Sequence, residues 1–308
     1  MFYIREAIDY SDHYQRPYNH DRCFYMNYSG APDRTDGISI LAVLDGVSQA
    51  NGDKAATMAA SAMRPVLASL LGKSSVYVDL DTETRQEEIF QVLREAILAA
   101  DQTLRQNQYA GIVYGTTVTL VVACCDRVYA ANVGDSPAYL FPIGEDGRVF
   151  QPIALFQCQN EAGDAVRRGE MTPEEALDSK RKNHLTGMVG GDLLMDQDIY
   201  TTSTWLRPSS LLMLGSDGAL AVTTEEEMRR IVENNIQEGV GEVAQAILKR
   251  VENSTSTDNF TILCQWLMCE LYEEESRYEK VRNDGERQRS YRTDDGSPGV
   301  GGREVLSI

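Results

Sequence analysis

Residues 38–71 read ISILAVLDGVSQANGDKAATMAASAMRPVLASLL. The opening ISILAVLD is β-branched and aliphatic almost throughout and short enough for a buried strand. Beyond the Asp-Gly turn, Asp53–Leu71 spaces its Ala, Met and Leu residues with helical periodicity. A second helix is expected from about Thr84 to Gln108. Working outward, TTVTLVVACC (116–125), DRVYAANVG (126–134) and SPAYLFPIG (136–144) read as three successive strands joined by short turns, which predicts an antiparallel meander. SLLMLGSD (210–217) and DNFTILCQWL (258–267) are further strands, separated by helices near 224–235 and 239–252. Clustered strands with segregated helices make an α+β fold, and no internal repeat interrupts it.

Four of these runs end on, or begin with, an aspartate: LAVLDG (41–46), AANVGDS (130–136), LLMLGSDG (211–218) and STDNFTIL (256–263). Strand ends hold side chains rigidly, and acidic groups delivered to one place repel each other unless a divalent cation balances them. A carboxylate-built metal centre is therefore expected. Asp-Gly is also an ordinary turn dipeptide. Asp146-Gly147, inside FPIGEDGRVFQP (141–152), reads as just such a hairpin turn and serves as an internal control.

The chain has 308 residues, enough for a large core, and 47 acidic against 29 basic residues, a net charge of −18. That balance argues against binding a nucleic-acid backbone or an anionic membrane surface and suits divalent cations or basic partners. No apolar run is long enough to span a bilayer, and MFYIREAIDYSDHY at the N-terminus lacks the apolar core of a secretory signal, so a cytoplasmic protein is expected. Cys23, Cys124, Cys125, Cys158, Cys264 and Cys269 include no C-x-x-C pair and point to neither zinc nor a disulfide framework.

Residues 158–191 differ in texture, mixing charges, glycines and a Thr172-Pro173-Glu174-Glu175 helix start in which Thr172 and Glu175 form a capping box. A polar helical insertion of this kind is where a mobile flap over a site is expected. A domain is expected over 1–272. A charged extension follows over 273–308, helical at first and disordered towards its Gly- and Ser-containing end.

Laid out in order, RPYNHDR (16–22), DGVSQANGDKAA (45–56), GTT (115–117), NVGDSPAYL (132–140), GSDGAL (215–220) and TDNFTIL (257–263) resemble the metal-dependent protein Ser/Thr phosphatases of the PP2C family, especially its bacterial members. RRGEMTPEEA and KNHLTGMVGG (167–176 and 182–191) are similar to that family's flap. The resemblance covers roughly residues 5–270. It implies a central antiparallel β-sandwich flanked by pairs of α-helices, with metals at one end. By position, Asp45 would bridge two Mn²⁺ or Mg²⁺ ions with help from the Gly46 carbonyl, and Asp217 and Asp258 would complete one shell. Asp21 would stand near the second ion, Asp135 matches a third-metal ligand of bacterial members, and Arg16 matches the arginine that grips the substrate phosphate.

The resemblance implies hydrolysis of phosphoserine and phosphothreonine in proteins by metal-held water, with Asp45 and Asp217 as the catalytic pair. Two hard cations answer the two obstacles of phosphomonoester hydrolysis, a protonated nucleophile and an anionic target. The expected partners are phosphorylated proteins, products of a Ser/Thr kinase, met by a monomer. Ser48, Gln49 and Pro137 depart from the family's pattern, and Val47 stands where some members place a histidine. Those departures leave open a weak or inactive binding module of the same fold, and the core motifs admit equally a metal phosphatase for small phosphorylated metabolites. His20, beside Asp21, reads either as a metal-shell imidazole or as a polar residue near the cleft.

Overall fold

The computed structural model describes residues 2–28 and 37–269; the 273–308 extension lies outside the described residues. The strands are β1 Phe2–Asp12, β2 Arg22–Tyr28, β3 Ile38–Leu44, β4 Val118–Cys124, β5 Arg127–Val133, β6 Ala138–Ile143, β7 Ile153–Ala154, β8 Tyr200–Trp205, β9 Ser209–Gly215 and β10 Phe260–Cys269. The helices are α1 Gly52–Gly72, α2 Ser74–Asp79, α3 Thr82–Asn107, α4 Glu161–Arg167, α5 Pro173–Asp178, α6 Asp217–Leu220, α7 Glu225–Asn235 and α8 Val240–Glu252.

The strands form two antiparallel five-stranded sheets, ordered β1-β10-β9-β6-β7 and β2-β3-β4-β5-β8. Leu41, Val43, Val121 and Ala123 of one sheet pack against Leu140, Leu212, Leu214 and Leu263 of the other, forming the layer between them. The alternate residues Ile38, Ile40, Ala42 and Leu44 face outward onto Met63 and Leu67 of α1 and Leu93 and Ile97 of α3. On the far side, Met213, Ile262 and Cys264 meet Met228 and Val232 of α7 and Val243 and Ile247 of α8. Each central strand is thus covered on both faces, which is why its sequence is a continuous apolar run with no polar alternation. The α+β sandwich flanked by helix pairs is the architecture expected.

Two helix starts are capped by side chains, the second as its sequence predicts. The Asp81 carboxylate accepts from the Glu83 and Thr84 amides at the start of α3, and Thr172 and Glu175 complete the capping box of α5. Pro65 lies within α1 without ending it.

The three-strand meander is corrected. β4 and β5 pair, but β6 leaves for the other sheet and pairs with β9 and β7. The chain turns at Gly134, with φ +111°, where a Cβ would meet the Thr117 side chain at 2.6 Å. Pro137 follows and has no amide to extend a ladder, while its carbonyl accepts from the Gly215 amide at 3.1 Å. The departure at Pro137 therefore sits at the crossing between sheets. Strands β1, β2 and β8 had no counterpart in the sequence reading.

Candidate metal centre and substrate cleft

All five expected aspartates lie at one end of the sandwich. Asp21 immediately precedes β2, Asp45 follows β3 and Asp135 follows β5. Asp217 follows β9 at the start of α6, and Asp258 precedes β10. The registers Arg22↔Leu44, Val118↔Val133 and Ile262↔Gly215 align these ends within each sheet. Antiparallel pairing brings together side chains that are far apart in sequence.

Two hydrogen-bonded threonines fix Asp45. Its amide donates to Thr117 Oγ1 at 3.0 Å, and its carbonyl accepts from the Thr117 amide at 2.8 Å and from Thr116 Oγ1 at 2.9 Å. The GTT motif thereby holds the main chain of Asp45 on both sides. The glycines after the two central aspartates serve close approach: a Cβ on Gly46 would stand 2.3 Å from the Gly52 carbonyl oxygen, and one on Gly218 would stand 2.1 Å from that of Asn259. Gly147, in the control Asp146-Gly147, is different, with φ +81° in a turn closed by its own amide on Gly144 at 2.9 Å. Identical dipeptides thus answer two physical needs, and the control is the hairpin turn it was read to be.

The carboxylates feel one another. Burial, reinforced by Asp21, Asp217, Asp135 and Asp258, pushes Asp45 well above the ordinary carboxylate range. Burial pushes Asp21 and Asp135 up to about 7, and burial with Asp258 also raises Asp217. Asp21 is 1% exposed, and neither of its oxygens has a hydrogen-bond partner. The Thr261 and Ser216 hydroxyls nearby temper that rise, but neither makes a hydrogen bond to Asp21. A buried, unpartnered carboxylate among like charges is costly unless a cation compensates it. The donor set of hard carboxylate oxygens with a backbone carbonyl at Gly46 suits Mg²⁺ or Mn²⁺. The residues therefore fit divalent cations, although among the described residues no three acidic side chains form a ready-made metal-holding group.

Arg16 differs from a free phosphate clamp. Its guanidinium forks onto Asp258, Nε to Oδ1 at 3.1 Å and Nη2 to Oδ2 at 2.9 Å. Its loop is stapled by Asn259, whose Oδ1 accepts from the His20 amide at 2.9 Å and whose Nδ2 donates to the His13 and Tyr18 carbonyls. His20 Nδ1 pairs with Ser48 Oγ at 3.1 Å, the arrangement of a polar residue bridging two loops. Ser48–Ala50 form a single helical turn, and the Val47 amide donates to the Gly115 carbonyl.

The flap segment contributes directly. Asn160 donates from Nδ2 to Asp135 Oδ2 at 2.9 Å while its Oδ1 caps α4 through the Gly163 amide. Lys182 lines the cleft and its charge counteracts the rise at Asp217. The cleft holds about 670 Å³ and is lined by Asp135, Asp217, Arg16, Asp258 and Arg250 among others. Asn259, Asn160 and Lys182 escaped the sequence reading. Asn259 adjoins Asp258, so adjacency to a metal aspartate was its available signal; Thr117 and Lys182 fall inside the GTT and KNHLTGMVGG motifs with no aspartate beside them, and Asn160 lies in the flap-like stretch with no signal of its own.

Comparisons with known proteins agree with this geometry. The profile of a family described as protein phosphatase 2C matches residues 19–251. The serine/threonine phosphatase stp of Listeria monocytogenes is 26% identical over 239 residues, covering 76% of this chain and 86% of that protein. Protein phosphatase PhpP of Streptococcus pneumoniae is 25% identical over 193 residues, covering 62% and 74% respectively. Among solved structures, serine/threonine phosphatase Stp1 from Staphylococcus aureus superposes with a TM-score of 0.67 at 22% identity, covering 86% of this chain and 95% of that one. The catalytic domain of the serine threonine protein phosphatase PstP, in complex with two manganese ions, gives 0.61 at 21% identity, covering 87% of this chain and 100% of that one.

Proposed function

The chain belongs to the protein phosphatase 2C family, and from that premise we propose that it hydrolyses phosphoserine and phosphothreonine in proteins, using Mn²⁺ or Mg²⁺ held by Asp21, Asp45, the Gly46 carbonyl, Asp217 and Asp258. Asp135, braced by Asn160, is assigned to a third ion. The observation that carries this reading is the buried, unpartnered Asp21 carboxylate beside Asp45 and Asp217. When bound, the cations would acidify water and neutralise charge on the phosphoryl oxygens.

The protein's own residues supply position. Asp45 is fixed at the main chain by Thr116 and Thr117, so its carboxylate cannot drift away from its neighbours. Arg16 presents two donors in a fork now filled by the Asp258 carboxylate, an oxyanion with the spacing that two phosphoryl oxygens also offer. A substrate phosphate would take that place and be oriented for in-line attack. Asp45 and Asp217 form the catalytic pair. The substrates are read as phosphoproteins made by a Ser/Thr kinase. The catalytic domain is taken as 1–272, acting as a monomer in the cytoplasm, a reducing compartment that suits cysteines without a C-x-x-C pair. Among the described residues, no helix is long and apolar enough to cross a membrane.

An inactive module is the weaker reading, because a binding scaffold has no need to keep five mutually repelling aspartates at one end of its sheets. The test is phosphate release from a phosphothreonine peptide with Mn²⁺ by the wild type, Asp45→Ala and Asp217→Ala. Metal-dependent turnover by the wild type, reduced at least a hundredfold in each variant, is expected. Absence of metal-dependent turnover by the wild type refutes it. Faster turnover of small esters than of any phosphopeptide would favour a metabolite phosphatase.

A further inference from the structure

In a chain of net charge −18, the cleft gathers three cations, Arg16, Lys182 and Arg250. Arg16 is committed to Asp258, and Lys182 stands by Asp217. Arg250 lies on the last turn of α8, and the structure gives it a different character. Its Nε donates to Glu227 Oε1 at 2.6 Å, and neither Nη makes a hydrogen bond to any described residue. Glu227 lies in the first turn of α7, where its amide donates to Thr224 Oγ1 at 3.2 Å, so the main chain that carries the partner of Arg250 is itself anchored. The Arg250 side chain is 30% exposed and lines the cleft. Thr255, Ser256 and Thr257 line the wall between it and Asp258.

A guanidinium held through Nε keeps its planar pair of Nη groups for a second oxyanion. We propose that Arg250 forms a substrate subsite for an anionic side chain of the phosphoprotein, a carboxylate or a second phosphoryl group, flanking the residue being dephosphorylated. This inference rests on the proposed function and adds the sequence context that the enzyme reads. The chain from Arg250 to Asp258, two helical residues and then a six-residue step beyond Glu252, spans at most about 24 Å. An extended peptide advances ~3.3 Å per residue, so the recognised anion falls within about seven residues of the phosphorylated one. Glu227 is a positioning residue in this scheme, acting through Arg250.

The experiment uses the full chain with Mn²⁺ and phosphothreonine peptides carrying a single Glu, a single phosphoserine or Ala at each position within about seven residues on either side. A small aryl phosphate, too short to reach Arg250, reports on the metal centre alone. In the wild type, one position is expected to give an anionic-over-alanine ratio of kcat/KM on the order of tenfold, carried by KM. Arg250→Ala should bring that ratio close to one, Arg250→Lys should retain part of it, and Glu227→Gln should reduce it while leaving its position unchanged. The glutamate and phosphoserine arms show which oxyanion the subsite prefers. A wild type indifferent to anions at every position, or an Arg250→Ala protein that keeps the preference, overturns the proposal. If the wild type hydrolyses neither peptide nor aryl phosphate, the phosphatase reading itself fails. Fluorescence anisotropy with the same peptides then tests the subsite separately: equal affinity of wild type and Arg250→Ala for the anionic peptide overturns it.

Discussion

Asp21 shows how a functional residue is identified by what it costs. Buried, unpartnered and close to two other carboxylates, it is held near 7, whereas its ordinary value is 3.8. Asp135 behaves alike. Between those pH values the native metal-free state binds protons that the unfolded chain has released. Stability of the metal-free protein should therefore fall as pH rises from about 4 to about 7 and stay low above it. Thermal melts in EDTA across that range check the slope. Asp21→Asn removes the charge and keeps the shape, so in EDTA at pH 7.5 it should melt about 2–4 °C higher than the wild type while losing phosphatase activity. A lower melting temperature would mean that the carboxylate is satisfied in a way the structure does not show. The glycines give a second contrast at this scale. Gly46→Ala and Gly218→Ala place a Cβ within 2.3 Å and 2.1 Å of backbone and should destabilise by several kcal/mol with loss of activity. Gly147→Ala should cost only about 1 kcal/mol, from its positive φ, and leave turnover unchanged. Urea melts of the three variants separate the two cases.

Among the elements, α4 and the chain around it tie the flap to the centre through one side chain. Asn160 caps α4 and donates to Asp135, so Asn160→Ala removes an N-cap and leaves a buried carboxylate oxygen unpaired. A loss of about 1–3 kcal/mol is expected, with faster amide exchange confined to residues 160–168. Uniform exchange changes across the sheets would contradict it. The elements also show where sequence reading holds and where it stops. α1, α3, α7 and α8 were legible because each carries a long apolar stripe against a sheet. β3, β4, β9 and β10 were legible because burial on both faces makes them continuously apolar. β1, with most of its residues at least partly exposed, and β8, exposed or half-exposed throughout, carry no such signature. They are edge strands whose identity comes from the neighbour they pair with.

For the whole molecule, cation binding and stability should be linked. At a hundred times its Kd, a cation that binds only the native state stabilises by about 2.7 kcal/mol, so the melting temperature should climb with Mn²⁺ concentration. The climb should be absent in Asp45→Ala and should appear whether or not a substrate is turned over. Differential scanning calorimetry in EDTA and in graded Mn²⁺ checks it; an identical response in Asp45→Ala would place the ions elsewhere. By itself the sequence determined the α+β class and the long helices, because apolar periodicity is a local signal that needs no partner, and the order of its motifs carried the resemblance to the family and singled out the aspartates. Only the tertiary structure decided which sheet β6 joins, that Arg16 forks onto Asp258, that Asn259 staples the loop before Asp21, and that Arg250 shares a cleft with Asp217. Those facts depend on contacts between residues far apart in the chain, and they exist only once the two sheets have packed and brought their ends together.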